Sequence, residues 1–294
     1  MSAAAGAAVL RLATRGSALA RAQAALAADA LQRATGRECE LVVVRTTGDR
    51  RGDVPLGRLE GQGWFTAELE RALLDGAADV AVHSAKDLPT TATPGLLVAA
   101  HLPRADPRDG AVTRDGRALA ELPAGAVVAT SSARRVALLQ AQFPQIRTAP
   151  IRGNVDTRLR KLDRGEVDAL LVACAGLDRL GLGERLQRLD AEVFVPAPAQ
   201  GAIALQCRAQ SEPAELCAGL DDADTAAAVT AERTTLAALG GGCLLPLGAW
   251  ARVDGGALRL TAALHDGAAL RRAESRGDRS DPEALGRAVA EALR

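Results

Sequence analysis

The sequence predicts an α/β protein in which two similar α/β halves face each other across a cleft and a small α+β domain follows. Three observations carry this. Short apolar runs alternate with helix-period patterns in the order β-α-β-α-β, the signature of a parallel sheet. The stretch LATRGSALARAQ (Leu12–Gln23) is echoed by VATSSARRVALLQAQ (Val128–Gln142): strand, threonine, small and hydroxyl residues, arginine, helix. From Asp221 onward the pattern changes to one long helix, two alternating segments and a closing helix. Against the echo stands coincidence in a chain rich in Ala and Arg. The length of 294 residues fits two or three domains. Aromatic residues are 2% of the chain and Tyr is absent, so the core is built from Ala, Val and Leu, which suits α/β layers.

In chain order, Val9–Ala13 reads as a strand and Ser17–Ala34 as an Ala-rich helix. Glu40–Arg45 is a strand whose consecutive LVVV run predicts burial on both faces. Arg50–Gly63, polar and Gly-rich with a proline, reads as a loop. Phe65–Leu74 has helical spacing, and Asp79–Val82 is a short strand. A second set follows: strand Ala126–Ala129, helix Ser132–Gln142, extended Ile146–Ile151, helix Asn154–Arg164 with Asn154 as N-cap, and buried strand Ala169–Ala173. LPRADPRDG (Leu102–Gly110) between the sets reads as a hinge, and Val195–Gln206 as a second crossing. Ala223–Leu239 is a long helix. Leu247–Val253 and Leu258–His265 form a hairpin around Asp254-Gly255-Gly256, before a last helix Pro282–Leu293.

Lys+Arg and Asp+Glu each total 36, so net charge points to neither nucleic acid nor a membrane surface. Nearly all the cations are arginine; Lys86 and Lys161 are the only lysines. Five cysteines, an odd number with no C-x-x-C spacing, argue against a disulfide framework and a structural zinc site. The N-terminus has no basic start before an apolar run, and no segment nears the roughly 18 apolar residues that span a bilayer. A reducing cytoplasm is the expected location.

Three strand-to-helix turns carry arginines beside helix starts: Thr14-Arg15-Gly16-Ser17, Thr130-Ser131-Ser132-Ala133-Arg134-Arg135, and Arg152-Gly153-Asn154-Val155-Asp156-Thr157-Arg158. Helix N-termini attract anions, arginine forks grip carboxylate or phosphate, and ligands of open α/β sheets sit at the carboxyl ends of strands. Any one turn is an ordinary N-cap; three together point to a cleft for a polyanion. No G-x-x-x-x-G-K-[ST] run favours nucleotide phosphates. VAVHSAKDLPTT (Val80–Thr91) sets His83, Ser84, Lys86 and Asp87 at a strand end. Lys86–Asp87 reads equally as a local ion pair, worth little on a surface, or as an anion in a cleft that stabilises a cation and relays protons. Cys174 and Cys207 read as small buried residues, and Cys39 and Cys217 have no motif. Cys243 stands apart, because Gly240-Gly241-Gly242 lets its backbone approach something closely, as nucleophile or covalent anchor.

LATRGSALARAQ, VAVHSAKDLPT, ATSSARR, IRGNVDTRLRKLDRGEVDALLVACAGLDRLGL, PAPAQGAIALQCR and LGGGCLLPLGAWA together resemble, in this order, the porphobilinogen deaminase (hydroxymethylbilane synthase) family, from about Leu10 to the end of the chain. The resemblance implies three domains: residues 8–102 with 202–219, residues 107–197, and residues 222–294. The first two are of the periplasmic-binding-protein type and the third carries the cofactor cysteine. It implies head-to-tail joining of four porphobilinogen molecules with loss of ammonia, then hydrolytic release of a linear tetrapyrrole. The implied cofactor is a dipyrromethane held by a thioether to Cys243, an anchor that reacts once with the electrophilic carbon left when ammonia departs.

Asp87 matches the family's catalytic aspartate. Cys243, Lys86, Asp87, Thr130, Ser132, Arg134, Arg135, Arg152, Gly153 and Asn154 match cofactor-binding positions. Arg15, Ser17, Arg152, Arg158, Arg179 and Gln200 match substrate-binding ones. Phe65 belongs to the lid, and Gln23 lies in a matching motif. No metal is implied; the expected partner is porphobilinogen alone, with a monomeric chain and no nucleic acid or membrane. Gln62 stands where the family often has lysine, and Ala133 where leucine is common. Two rivals are a cytoplasmic solute-binding module of the same fold type, which the Cys243 domain argues against, and a cysteine hydrolase, which needs a histidine beside Cys243.

Overall fold

The computed structural model of the chain describes residues 9–47, 65–242 and 245–294. The first sheet holds β1 (Leu10–Arg15), β2 (Cys39–Val44), β3 (Val80–Ser84), β4 (Leu96–His101) and β10 (Ile203–Arg208), in the order β2-β1-β3-β10-β4. The second holds β5 (Asp109–Thr113), β6 (Val127–Ala129), β7 (Arg147–Ala149), β8 (Ala169–Ala173) and β9 (Gln187–Arg188), in the order β7-β6-β8-β5-β9. The two sheets match place for place. In each, the first three strands run parallel and the fourth runs antiparallel to the third. That fourth strand arrives, in both cases, directly from the other half of the chain. The echo seen in sequence is therefore a structural one. β1 and β6 hold the same place in their sheets, and each leads into a helix capped by a serine hydroxyl: Ser17 accepts from the Ala20 N–H and Ser132 from the Arg135 N–H.

Strand alternation sorts the core into layers. Leu10 and Leu12 of β1 pack on Ala24, Ala27 and Leu31 of the helix Ala18–Thr35, with Cys207 and Cys217 nearby, while Ala13 turns to Leu69 and Leu73 of the helix Ala67–Leu74. In the second sheet Val128, Ala169 and Leu171 meet Leu138 and Leu139 of the helix Ala133–Gln142. Leu170 and Val172 face the other way, onto Leu159 and Leu162 of the helix Val155–Asp163. Each leucine so buried contributes roughly 1.5–3 kcal/mol. The third unit is an antiparallel sheet of β11 (Leu247–Asp254), β12 (Ala257–His265) and β13 (Leu270–Asp278), covered by the helices Ala223–Ala238 and Pro282–Ala292.

Four differences from the sequence expectations have physical causes. The LVVV strand is not buried on both faces: β2 ends its sheet, and Leu41 and Val43 are 39% and 44% exposed. An apolar β-branched run specifies a strand, but its place in the sheet is set by long-range pairing. β4 and β5 fall where no strand was expected, β5 because its Asp-Gly start reads as a turn. β13 is an outer strand whose charged residues, such as Arg271 and Glu274, hide its alternation. Asn154 holds the N-cap position of its helix without a side-chain cap bond. The loop expected at Arg50–Gly63, with Gln62, lies outside the described residues.

The two crossings between the α/β units touch. Gly201 sits at φ +92°, and a Cβ there would lie 2.5 Å from the Ala105 carbonyl oxygen, so only glycine fits. The Ala105 N–H in turn donates to the Gly201 carbonyl at 3.3 Å. Behind this contact lies the fully buried carboxylate of Glu232, from the third unit.

Candidate active site

The expected site residues gather at the carboxyl ends of four parallel strands, where β1, β3, β6 and β7 hand over to helical turns. There the sequence places small and hydroxyl residues that free backbone N–H groups, with arginines beside them. Two cavities result. The larger, of about 2010 Å³, takes in Arg15, Ser17, Gln23, Phe65, Arg152, Gly153, Asn154 and Arg158. The smaller, of about 1000 Å³, takes in Ser132, Arg134, Arg135, Gln200, Gly241 and Gly242. Lys86 and Asp87 line both. They sit on a single 3-10 turn (Ala85–Asp87) that directly follows β3, where the strand's hydrogen bonding to β10 ends.

Within the larger cavity, the Arg15 guanidinium lies 4.1 Å over the Phe65 ring, a cation–π contact that fixes its height in the cleft. Ser17 is committed as a cap, its Oγ accepting from the Ala20 N–H at 3.2 Å. Gln23 is buried and hydrogen-bonds Ser84 at 2.9 Å. Arg158 donates Nε to the Gly153 carbonyl at 2.8 Å. Burial, with Arg135 and Arg152 as neighbouring cations, brings the Arg158 pKa down to about 10. Arg45, which sequence analysis passed over, lines the same cavity. It follows β2 as Arg15 ends β1, in a register that pairs Arg15 with Val44; that parallel is the signal that could have found it.

The smaller cavity has a charged floor that the sequence did not reveal. Asp109, at the start of β5 and fully buried, accepts from Arg134 at 2.6 Å and from Arg135 at 2.8 Å. Burial alone would raise the Asp109 pKa, but the two guanidiniums hold it well below the usual carboxylate range. Arg134 also donates to the Val195 carbonyl at 2.8 Å and Arg135 to that of Leu171 at 2.9 Å. Gln200 joins them: its Nε2 donates to Asp109 at 2.9 Å and to the Pro107 carbonyl at 2.8 Å, and its Oε1 accepts from Lys86 Nζ at 3.1 Å. Burial, and Arg135 nearby, bring the Lys86 ammonium down to about 8, against the opposing pull of Asp87.

Two expected residues stand back from the cavity walls. Thr130 is buried, its Oγ1 accepting from the Ser132 N–H at 3.3 Å. Arg179 donates to the Gly201 carbonyl at 2.7 Å, at the contact between the crossings. Cys243 lies outside the described residues, but Gly241 and Gly242 before it line the smaller cavity. A Cβ at Gly241 would collide with the Leu236 carbonyl, so this tight return off the helix Ala223–Ala238 needs glycine. Cys174, Cys207 and Cys217 are buried as small apolar groups, and Cys39 is half-buried. Among the described residues no cluster of potential ligands could hold a metal ion, and no helix is long and apolar enough to cross a membrane.

The charges test which group fits. Lys86, Arg134 and Arg135 converge on one cavity, where Asp87 and Asp109 are the carboxylates at hand. The buried Arg134 Nε has no hydrogen-bond partner among the described residues. Leaving a guanidinium donor buried and unpaired is costly, so the site suits a ligand that brings carboxylates. A small group bearing several carboxylates meets these demands.

Comparison with known proteins gives the same reading. The family model "Porphobilinogen deaminase, dipyromethane cofactor binding domain" matches residues 10–215, and "Porphobilinogen deaminase, C-terminal domain" matches residues 226–294. The porphobilinogen deaminase of Acidothermus cellulolyticus is 50% identical over 99% of this chain and 90% of its own length. That of Mycobacterium leprae is 53% identical over 83% of this chain and 78% of its own. Among solved structures, the methionine-binding protein MetQ aligns with 13% identity and a TM-score of 0.45, over 72% of this chain and 89% of its own. By full-length match at half identity, the chain belongs to the porphobilinogen deaminase family, whose dipyrromethane-binding domain it carries.

Proposed function

We propose that the chain is a hydroxymethylbilane synthase, a transferase that joins four porphobilinogen molecules head to tail and releases the linear tetrapyrrole with water. Four ammonia leave, one per porphobilinogen. The observation that carries this reading is the meeting of Lys86 and Asp87 with both cavities: one rich in arginines for incoming carboxylates, the other floored by Arg134 and Arg135 beside Gly241 and Gly242.

The dipyrromethane, bound through the Cys243 thioether, supplies the nucleophilic pyrrole carbon on which the chain grows. Lys86, Ser132, Arg134, Arg135, Arg152, Gly153 and Asn154 hold its acetate and propionate groups, with Thr130 behind them accepting from the Ser132 N–H. Arg134 and Arg135 are already oriented by Asp109, so their remaining donors meet carboxylates without rearrangement. Arg15, Ser17, Arg152, Arg158, Arg179 and Gln200 serve the incoming substrate, Arg179 by setting the cleft from behind and Gln200 from the wall of the smaller cavity. The Asp87 carboxylate accepts from pyrrole N–H groups. It stabilises positive charge as the amine leaves as ammonia, and carries the proton released when the new carbon–carbon bond forms. Phe65 helps cover the cleft by holding Arg15.

The same proposal includes a monomeric, cytoplasmic enzyme with no nucleic-acid or membrane partner. It includes the division into residues 8–102 with 202–219, residues 107–197 and residues 222–294, which the place of β10 in the first sheet supports.

The test is the intact mass of the purified protein. Wild type is expected to exceed its sequence mass by two pyrrole units and to colour with an acidic aldehyde reagent, and Cys243→Ser to lack both. A wild type that still shows no adduct and forms no tetrapyrrole after incubation with porphobilinogen overturns the reading.

A further inference from the structure

Arg233 lies outside both cavities, on the helix Ala223–Ala238 of the third unit, yet it reaches into the first. Its Nη1 donates to the carbonyls of Leu88 at 3.0 Å and Ala85 at 3.5 Å, and its Nη2 to that of Pro89 at 2.5 Å. These three carbonyls bracket Lys86 and Asp87. The turn lies beyond the last β3–β10 pair, Ser84 with Ile203, so its carbonyls have no ladder partner. Ser84 at its start makes no side-chain cap bond. Besides the guanidinium, two hydrogen bonds tie the turn to its neighbours: the Ala85 N–H donates to the Ala202 carbonyl at 3.0 Å, and Lys86 Nζ donates to Gln200 Oε1 at 3.1 Å.

The same helix is anchored one residue earlier. Glu232 accepts from Arg104 of the first crossing, from the Ala199 N–H of the second and from the Ala251 N–H of β11. Val229, one turn back, packs on Ala85, Leu88, Ala199 and Ala202. The helix then runs into Gly240–Gly242, which lead to Cys243 in sequence. A rigid element thus has the Asp87 turn fastened to its side and the cofactor-bearing loop at its end.

We propose that Arg233 is a positioning residue for the reaction: its grip on the carbonyls of Ala85, Leu88 and Pro89 sets the Asp87 carboxylate against the loop that carries the growing chain. This rests on the function proposed above. Arg233 lines neither cavity, so its loss is expected to displace Asp87 without removing a group from the cavity walls. Misplacement of a reacting group by about 1 Å costs on the order of 100-fold in rate.

The test compares Arg233→Met, which keeps the apolar stem and removes the fork, with Arg233→Lys, which restores a cation with fewer donors. Both are expected to carry the pyrrole adduct by intact mass. Arg233→Met is expected to lower kcat by roughly 10- to 100-fold while KM for porphobilinogen stays within about threefold, and Arg233→Lys to recover part of the loss. Faster amide exchange at Leu88 in Arg233→Met, with exchange in β1 and β3 unchanged, would locate the effect in the turn. A kcat within about twofold of wild type, or a raised KM at constant kcat, overturns the proposal. Should Arg233→Met fail to fold, Arg233→Lys decides alone: a severalfold fall in kcat at constant KM supports the role, and wild-type kcat overturns it. Wild type in the same assay reports on the function itself, so a loss confined to the variants speaks only of Arg233.

Discussion

Arg134 donates to Asp109 at 2.6 Å with 4% of its side chain exposed and none of the aspartate's, and the neighbouring Arg135 closes on the same carboxylate at 2.8 Å. One buried anion thus aims two cations at the smaller cavity. Removing one partner of a buried pair costs about 3–5 kcal/mol, because the charge left behind keeps its desolvation penalty. Asp109→Asn preserves the shape and removes the charge that two guanidiniums share. Its stability from urea unfolding is expected to fall by about that amount, and its pyrrole adduct to be incomplete by mass. A loss below about 1 kcal/mol would mean that the arginines find other partners and that Asp109 does not organise the site.

Asp87 carries a different expectation, because it lines both cavities and lies outside the buried ion-pair cluster. Asp87→Ala is expected to fold, to keep some or all of its adduct, and to lose at least about 100-fold in kcat, the scale of a general acid–base contribution. Single-turnover release of ammonia measures the chemical step directly. Near-normal release would remove Asp87 from the reaction.

His83 gives a pH dependence of stability. Its ring Nε2 lies 2.9 Å from Gln206 Oε1, Gln206 Nε2 donates to Glu70 at 3.0 Å, and Glu70 accepts from Thr93 at 3.0 Å. Burial brings the His83 pKa down to about 4; the hydrogen bond to Gln206 and the charges of Glu70 and Asp87 oppose the shift without cancelling it. In the unfolded chain the ring takes its proton near pH 6.5. The folded pKa is the lower one, so the unfolded state binds more protons between these values. Stability is then complete above about pH 6.5 and lost as pH falls toward 4, by about 3 kcal/mol in all. Urea unfolding of wild type and His83→Gln between about pH 7 and pH 4.5 should show the two stabilities converging as pH falls. Parallel curves would show that His83 does not titrate on unfolding.

What the sequence made legible follows from how local each signal is. The pairing of β1 with its serine-capped helix, and of β6 with its own, rests on a few adjacent residues and was read correctly. The three arginine-bearing segments do lie where a strand hands over to a helix, and an arginine beside a helix start is a local pattern. Asp109 was lost inside LPRADPRDG, where Pro and Asp-Gly look like a hinge, and only the fold shows that its last two residues begin a central strand. Gln200 matched a substrate-binding position, but nothing in the sequence signalled that its amide also links Lys86 to Asp109 across the two crossings, by contacts between residues 114 and 91 positions apart. Glu232 sits in an Ala-rich helix, and sequence analysis did not single it out. No local pattern announces a carboxylate whose four donors come from three distant segments.

That carboxylate yields the last prediction. Glu232 Oε1 accepts from Arg104 Nη1 at 2.6 Å and from the Ala251 N–H at 2.7 Å, and Oε2 from Arg104 Nη2 at 3.1 Å and the Ala199 N–H at 2.6 Å. Ala199 is held at φ +62°, a conformation that costs a non-glycine residue about 1 kcal/mol or more and persists only where neighbours enforce it. Arg104 in turn donates Nε to the Gln200 carbonyl at 2.8 Å, so the peptide whose side chain meets Lys86 hangs from this pair. Glu232→Gln turns one acceptor into a donor facing backbone or guanidinium N–H groups and leaves Arg104 charged with no counterion at hand. The expected cost is about 3–5 kcal/mol in urea unfolding, with loosened proteolytic protection at residues 102–108 and 195–202. Arg104→Met alone should be comparably costly, since it buries the carboxylate unpaired. The double variant should be milder than the sum of the two by at least about 1 kcal/mol, because each single change strands the other's charge. Additive losses in that cycle would show that the two residues act independently and do not form the coupled pair that their geometry describes.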